Sequence, residues 1–117
     1  MLQHVLATFD YHGDGKILIA HATRAMLAET GAFMADTEGF VNIATAVDGV
    51  QFVAFLKELD DNVWRASLRV QGEGDVQVIA ARYGGGGHRA AAGCTLEGEL
   101  DEVVANLTAE LLVALRA

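Results

Sequence analysis

Four consecutive glycines, Gly84–Gly87, constrain the fold of this chain more than any other feature of its sequence. Glycine loses more backbone entropy on folding than any other residue, so an uninterrupted run of glycines is costly. The run follows a segment with the apolar spacing of a helix and precedes the small residues 90–93, so it lies between two packed elements. We predict a loop at which a ligand approaches bare backbone, with a flexible structural loop as the alternative.

The residues at the end of the glycine run favour an anion as that ligand. Backbone N–H groups that no side chain shields bind phosphate oxygens well. We expect His88 to donate to a phosphate oxygen and Arg89 to add positive charge, with residues 89–92 forming a helical turn. The run lacks the Gly-Lys-Ser/Thr ending of a P-loop and does not match the GxGxxG pattern of dinucleotide-binding folds.

A predicted strand over residues 63–71 presents a basic face. Its apolar residues alternate with Arg65, Ser67 and Arg69, and alternate residues of a strand point to opposite sides of a sheet. We therefore expect one face of this strand to be buried and the other to be polar. From the residues alone, we interpret Arg65 and Arg82 as surface charges, with a position at the entrance of the binding site as the alternative.

The remaining patterns predict a single α/β domain, with a mixed, roughly five-stranded sheet flanked by helices. The predicted strands cover residues 5–10, 16–20, 51–59, 63–71 and 93–96, and turns are expected at residues 12–15 and 60–62. The predicted helices follow the capping residues Thr23, Thr37 and Asp75, and the clearest helix covers residues 100–115.

Composition and charge favour a small anionic ligand over a long nucleic acid. The chain has 117 residues, 52% of them hydrophobic, which is enough for one core and too few for two domains. Its net charge of −8 disfavours a binder of long duplexes, because neutralising many phosphates requires a basic surface. Four arginines nevertheless cluster in sequence: Arg65, Arg69, Arg82 and Arg89. An uneven solvated surface is the alternative explanation of this cluster.

The single cysteine, Cys94, predicts a reducing compartment, and we expect the protein to be cytoplasmic. One cysteine forms no internal disulfide and no cysteine-based zinc site, so we interpret Cys94 as a small buried residue. The N-terminal residues lack the basic and apolar regions of a secretory signal. No apolar run is long enough to span a membrane, so we expect no membrane partner.

The segment GGGGHRAAAGCTL resembles the GGGH signature of the DHH-associated C-terminal domain of DHH-family phosphoesterases. It is most similar to the nanoRNase/pAp-phosphatase group, which hydrolyses short oligonucleotides and 3′-phosphoadenosine 5′-phosphate. The resemblance implies a substrate-binding domain over residues 36–117, preceded by a lead-in strand pair and helix of the same domain over residues 1–35. The sequence departs from the family pattern at Val70, where serine is usual, and at Ala90, where asparagine is frequent.

The resemblance implies that Arg69 and His88 contact phosphate, that Ser67 supports Arg69, and that the glycine backbone lines the pocket. The implied substrate-binding residues are Ser67, Arg69, Gly84, Gly85, Gly86, Gly87, His88 and Arg89. In this family, a separate N-terminal domain carries the Asp-His-His motif and binds manganese. The implied partners are therefore a short oligonucleotide or small nucleotide and that N-terminal domain of the same protein, with a homodimer as a further candidate.

The chain contains no Asp-His-His motif, so we predict that it holds no metal and no catalytic residue and is inactive alone. We expect the manganese in an N-terminal domain of a longer protein. Asp10, His12 and Asp14 are the one candidate ligand cluster, and we interpret them as part of a turn. Three other hypotheses stay open: a free-standing or regulatory nucleotide-binding module, a fragment of a RecJ-like single-strand exonuclease, and a structural dimerisation domain.

Overall fold

A computed structural model describes residues 8–30 and 49–116 of the chain. Within these ranges six strands form one sheet, whose spatial order is β1-β2-β3-β4-β6-β5. The strands are β1 (Asp10–His12), β2 (Ile17–Ala22), β3 (Phe52–Asp60), β4 (Val63–Val70), β5 (Gly86–Gly87) and β6 (Ala91–Glu97). The helices are α1 (Arg24–Thr30), α2 (Val76–Arg82) and α3 (Leu100–Arg116). The predicted helix after Thr37, and residues 5–7 of the predicted strand over residues 5–10, lie outside the described residues.

The sheet is mixed, as predicted. Strands β2 and β3 pair in parallel, and the other neighbouring strands pair antiparallel. Asp60 pairs with Val63, so Asp61 and Asn62 form the connection between β3 and β4. Asn62 adopts a positive φ of 56°, a conformation that asparagine tolerates better than most residues, which confirms the predicted turn. The predicted α/β class is confirmed.

The main core lies between one face of the sheet and helices α2 and α3. In β4 the exposure alternates as predicted, with Trp64, Ala66, Leu68 and Val70 buried on this face. Helix α3 contributes its buried stripe of Val103, Leu107 and Leu111. On the opposite face, Phe9 and Met26 pack over the apolar residues of β2 and β3. That opposite face carries the polar residues of β4.

Helix α2 begins at the predicted cap. The carboxylate of Asp75 accepts hydrogen bonds from the backbone N–H groups of Gln77, at 2.8 Å, and Val78. Arg82, in the last turn of α2, forms an ion pair with Glu110 of α3, so its charge is engaged on the helical side of the sheet. No helix in the described ranges is both long and apolar enough to cross a membrane.

The glycine run and the residues after it differ from the prediction. Gly86 and Gly87 form the edge strand β5, which pairs with Gly93 and Ala92 of β6. Residues 89–92 do not form a helical turn. His88 and Ala91 exchange backbone hydrogen bonds of 2.7 and 3.2 Å, which makes residues 89–90 the tight turn of a β-hairpin. The small residues after the run therefore begin a strand, because they pair with β4 and β5 on both sides.

Candidate functional site

Two of the four glycines are required by the close approach of β5 to β6. A Cβ atom built on Gly85 would lie 2.1 Å from the carbonyl oxygen of Gly93 and 2.7 Å from the Cβ of Cys94. A Cβ atom on Gly87 would lie 2.6 Å from the carbonyl oxygen of Ala91. Any side chain at either position would clash with the backbone of β6, so these two glycines are explained by packing.

Gly86 faces the other side of the sheet and is not explained by packing. A Cβ atom built there would have no heavy atom within 4 Å. Gly86 pairs with Gly93, which in turn pairs with Ser67 of β4. Because residues paired across strands share a face, Gly86 and Gly93 form a strip of bare backbone beside Ser67.

His88 and Arg69 lie at one end of this strip. His88 forms the hydrogen-bonded pair with Ala91, and Ala91 pairs with Arg69 across β6 and β4. Ala91 and Gly93 are two residues apart in β6 and so face the same side. His88 and Arg69 are thus two strand spacings apart, roughly 10 Å between their Cα atoms, with a small alanine between them. The structure brings together the two side chains for which the family resemblance implies phosphate contact.

Arg65 lies over the same strip, although the sequence alone does not identify it as a site residue. Its Nη2 atom is 2.6 Å, and its Cζ atom 3.1 Å, from the position that a Cβ on Gly93 would occupy. The guanidinium therefore occupies the space left by the missing side chain of Gly93. Alternation in β4 places Arg65 on the face of Ser67 and Arg69, but the glycine beside it follows only from the register of β4 with β6.

We name this arrangement the glycine trough. Its floor is the bare backbone of Gly86 and Gly93, and its borders are the side chains of Arg65, Ser67, Arg69 and His88. Arg69 also donates to the carbonyl of Leu68 at 3.0 Å. Positive charge surrounds an uncovered backbone floor, which is an arrangement suited to an anionic ligand.

Fewer backbone donors are available in the glycine run than the sequence suggests. The N–H of Gly84 donates to Ala81 at 3.1 Å and that of Gly85 to Ala80 at 2.9 Å, which completes the end of α2. Gly84 has a φ of 77°, the left-handed conformation that commonly follows a helix. These two glycines therefore serve the helix terminus.

The N–H of Gly87 is the donor of the run that points away from the sheet. Hydrogen-bonded and non-hydrogen-bonded pairs alternate along an antiparallel ladder. Because His88 and Ala91 form a hydrogen-bonded pair, the adjacent pair of Gly87 and Ala92 is a non-hydrogen-bonded pair. The backbone N–H and carbonyl of Gly87 therefore point away from β6. The outward carbonyl of Gly87 accepts a hydrogen bond from Nε2 of Gln77 at 2.9 Å. Its N–H lies on the same exposed edge.

Arg89 contacts the protein rather than the floor of the trough. Its Nη1 atom donates to the carbonyls of Gly72, at 2.9 Å, and Gly74, at 2.8 Å. Its own carbonyl accepts from the N–H of Val76, the first residue of α2, at 2.9 Å. These contacts join the β5–β6 turn to the loop before α2 and give Arg89 a structural role. Contact between Arg89 and phosphate stays a prediction.

The described residues do not form a metal centre. Asp10 and His12 contact each other in β1, with 2.9 Å between Oδ2 and Nε2, and Asp14 lies in the following turn with a φ of 58°. In residues 8–30 and 49–116, no three His, Cys, Asp or Glu side chains are arranged to hold a metal ion. The described part of the chain therefore does not fit a manganese site.

The face beneath the trough is apolar. Cys94 and Val70 are both buried among the residues that pack against the helices. Burial raises the pKa of the Cys94 thiol, with nearby Arg65 acting weakly in the opposite direction, so the thiol is neutral and the interpretation of Cys94 as a small buried residue is confirmed. The departure from the family pattern at Val70 falls on this side and leaves the trough unchanged.

The larger cavities lie elsewhere on the molecule. One, of about 510 Å³, lies between the start of α2 and the end of α3. Another, of about 560 Å³, lies between α3 and strands β1 and β2. Neither includes a residue of the trough, which is an open surface rather than an enclosed pocket.

Known proteins resemble this chain in sequence. The DHHA1 domain family matches residues 14–113. The bifunctional oligoribonuclease and PAP phosphatase NrnA of Thermus thermophilus is 35% identical over 103 residues. That alignment covers 87% of this chain and 30% of the relative, so the chain spans less than a third of that protein's length.

Solved structures share the fold. An exopolyphosphatase-related protein from Bacteroides fragilis matches with a TM-score of 0.78 and 31% identity, over 88% of this chain and 30% of that chain. A pGpG-specific phosphodiesterase, PggH, from Vibrio cholerae matches with a TM-score of 0.62 over 96% of this chain and 37% of that chain. Its identity of 12% supports the fold alone. Because the family match covers most of the chain, including the whole trough, this chain belongs to the DHHA1 domain family.

Proposed function

We propose that this chain is the phosphate-holding domain of a DHH-family phosphoesterase that hydrolyses short oligonucleotides or pAp-like nucleotides. The observation that carries the proposal is the glycine trough, in which His88, Arg69 and Arg65 border a floor without side chains. The similarity to NrnA, whose name gives both an oligoribonuclease and a PAP phosphatase activity, supports this substrate class.

The residues of the trough bind and orient the substrate. The planar guanidinium of Arg69 matches two phosphate oxygens at once, and the imidazole of His88 donates from the neighbouring strand. The uncovered floor lets the sugar approach the backbone of Gly86 and Gly93. Holding a phosphate in one position lowers the entropic cost of a reaction carried out by groups on another domain.

The distribution of charge favours a short ligand. Arg24 is paired with Asp61 and Glu58, and Arg82 is paired with Glu110, so two basic side chains outside the trough are already neutralised. A long single strand needs an extended basic groove that follows many phosphates. In a chain of net charge −8, the trough offers a basic surface only a few residues long.

The proposed partners are the nucleotide and an N-terminal DHH domain of the same protein, which we propose as the holder of manganese. An open trough is suited to a site that a second domain completes. We also propose a reducing, cytoplasmic location, because Cys94 is a free, buried thiol.

The proposal is tested by measuring calorimetrically how the 117-residue chain binds the dinucleotide pApA and its unphosphorylated form ApA. We expect pApA to bind about tenfold more tightly than ApA, because one charge-assisted hydrogen bond contributes about 1.4 kcal/mol to the binding free energy. His88→Ala and Arg69→Ala should abolish that preference, and Arg82→Ala, on the helical side, should preserve it. Equal affinity for pApA and ApA would overturn the proposal. Tighter binding of long single-stranded DNA than of pApA would instead favour the RecJ-like hypothesis.

A further inference from the structure

Strand β6 has an outer edge that is open beyond the glycine run. Strand β5 pairs only with Ala92 and Gly93 of β6. The chain that precedes β5 forms the end of α2, where the N–H of Gly85 donates to Ala80. From Gly93 to Glu97, β6 therefore continues past β5 and, within residues 8–30 and 49–116, pairs there with β4 alone. An open strand edge presents N–H and carbonyl groups with which another extended chain can pair.

The backbone groups of Thr95 and Glu97 point out of this edge. His88 and Ala91 exchange hydrogen bonds across β5 and β6, so the N–H and carbonyl of Ala91 point toward β5. Backbone groups two residues apart in a strand point the same way, which gives Thr95 and Glu97 the direction of Ala91. The N–H of Gly98, which points the other way, donates to the β3–β4 connection at 2.9 Å. Among the described residues, no hydrogen bond engages the outward backbone of Thr95 or Glu97.

A cavity of about 400 Å³ lies beside the open edge, between β6, the end of α2 and the first half of α3. Leu96, Val103 and the partly buried ring of Tyr83 line it, and Asn106 is its exposed polar member. Leu96 points to the helical side of the sheet, because it packs in the core between the sheet and the helices. A strand added to the edge would place alternate side chains on that side, so its residue opposite Leu96 would enter the cavity.

The surface around the open edge is acidic. Glu97 ends β6, and three more carboxylates follow at the start of α3: Glu99, Asp101 and Glu102. All four side chains are exposed, and in the part of the chain that the structure describes none of them forms an ion pair. Two copies of this edge would bring like charges together in a molecule of net charge −8, which disfavours a second copy as the occupant. A basic chain would meet opposite charge.

We propose that the open edge of β6 binds an extended, basic peptide segment of a partner protein, which adds a strand antiparallel to β6 in line with β5. The segment exchanges backbone hydrogen bonds with Thr95 and Glu97, and its apolar side chain opposite Leu96 fills the cavity. Its side chain opposite Glu97 is a lysine or an arginine. The inference is independent of the proposed function, because the edge uses neither His88 nor Arg69.

Amide hydrogen exchange, followed by NMR, tests the edge in the free 117-residue chain. The amides of Cys94 and Leu96 point toward β4 and should exchange slowly, whereas those of Thr95 and Glu97 should exchange about tenfold faster or more. Slow exchange at Thr95 and Glu97 would show that the edge is already covered and would overturn the proposal. Protection that rises with protein concentration would identify a second copy as the occupant, with the same consequence.

The probe for binding is the acetylated and amidated peptide Lys-Val-Lys-Leu-Thr, whose last three residues are designed to lie opposite Glu97, Leu96 and Thr95. We expect it to slow exchange at Thr95 and Glu97. N-methylation of its threonine removes the N–H that donates to Thr95 and should weaken binding by about tenfold or more. N-methylation of its leucine, whose N–H points away from β6, is the matched control. Absence of binding, or an equal effect of the two methyl groups, would overturn strand addition.

A charge reversal tests the acidic surface. Glu97→Lys should weaken binding of this peptide by about tenfold and improve binding of the peptide Glu-Val-Glu-Leu-Thr. Glu73→Lys is the matched control, because it makes the same change in net charge at an exposed residue of the loop before α2. If both substitutions weaken the basic peptide equally, net charge attracts it and the edge is not its site. Thermal melting confirms that each variant is folded.

Discussion

The four glycines of the run have different structural roles, and the sequence alone does not distinguish these roles. Gly85 faces β6 at a distance that excludes any side chain, and Gly86 faces open space. The sequence predicts a functional or structural requirement for this run, because the folding of four consecutive glycines has a high cost in backbone entropy. It does not predict which glycine is structural, since that depends on the strand register between β5 and β6.

Alanine substitutions at Gly85 and Gly86 should distinguish the structural roles of these two glycines. Gly85→Ala should lower the free energy of unfolding by about 2 kcal/mol or more, because the new methyl group overlaps the carbonyl of Gly93. Gly86→Ala should change it by less than about 1 kcal/mol, because the site is open and alanine also restricts the unfolded chain. Urea denaturation of both variants checks this pair. Equal destabilisation would show that the register of β5 is wrong.

Arg65 shows a second feature that sequence alone does not predict. The alternation of polar and apolar residues in β4 places the Arg65 side chain on the polar face of the sheet, so the basic face is predictable from sequence. The direction of its guanidinium depends on Gly93, which is 28 residues away in the chain and adjacent in the sheet. Arg65 is exposed, in agreement with its interpretation as a surface charge, and its guanidinium also lies beside Gly93.

At the scale of elements, the long periodic segments and the turn at residues 60–62 were predictable, whereas strand β5 and the residues directly after it were not. Strands β3 and β4 and helix α3 follow clear apolar patterns, and Asp75 marks the start of α2. Strand β5 contains only Gly86 and Gly87, which have no side chains and hence no apolar alternation. The sequence predicts a helical turn over residues 89–92, whereas pairing with β4 and β5 makes Ala91 and Ala92 the start of a strand.

Arg89 should stabilise the junction between the β5–β6 turn and α2. Arg89→Ala removes the hydrogen bonds to the carbonyls of Gly72 and Gly74. Hydrogen bonds from charged groups contribute about 1.5–3 kcal/mol each when formed well, and exposure reduces this, so we expect a loss of about 1–2 kcal/mol. Chemical denaturation measures the loss. Arg116→Ala, at the exposed end of α3, is the control and should be neutral within about 0.5 kcal/mol. No change in Arg89→Ala would contradict the structural role.

At the scale of the whole molecule, the chain separates an apolar, helix-covered face from a basic, open one. Helices α2 and α3 cover the core side of the sheet, while β4, β6 and β5 expose the trough on the other. Acidic residues elsewhere give the net charge of −8, which concentrates attraction for anions at one place. The sequence predicts this charge separation from its arginine cluster. It does not predict that Arg82 and Arg89 are engaged away from the trough.

His21 should make global stability depend on pH. Burial beside Trp64, with ring centroids 6.3 Å apart, lowers the pKa of His21 below its usual 6.5. His21 therefore binds a proton at a higher pH in the unfolded chain than in the folded chain. The stabilisation contributed by neutral His21 is complete above the unfolded pKa, and it is lost as the pH falls toward the folded pKa. Relative to His21→Gln, the wild-type chain should lose stability on acidification from neutral pH. Denaturation at several pH values measures the difference, and a pH-independent difference would contradict the burial of the ring.

The central claim is that the glycine trough itself binds phosphate, and an NMR titration of backbone amides with pApA tests it most directly. In the wild-type chain we predict that shifts concentrate at Gly86, Gly87, His88 and Gly93. In Gly86→Ala, which keeps the fold, the added methyl group occupies the floor, and affinity should fall by about tenfold or more. Shifts that map to the cavity between α2 and α3, or that are the same in Gly86→Ala, would contradict the account.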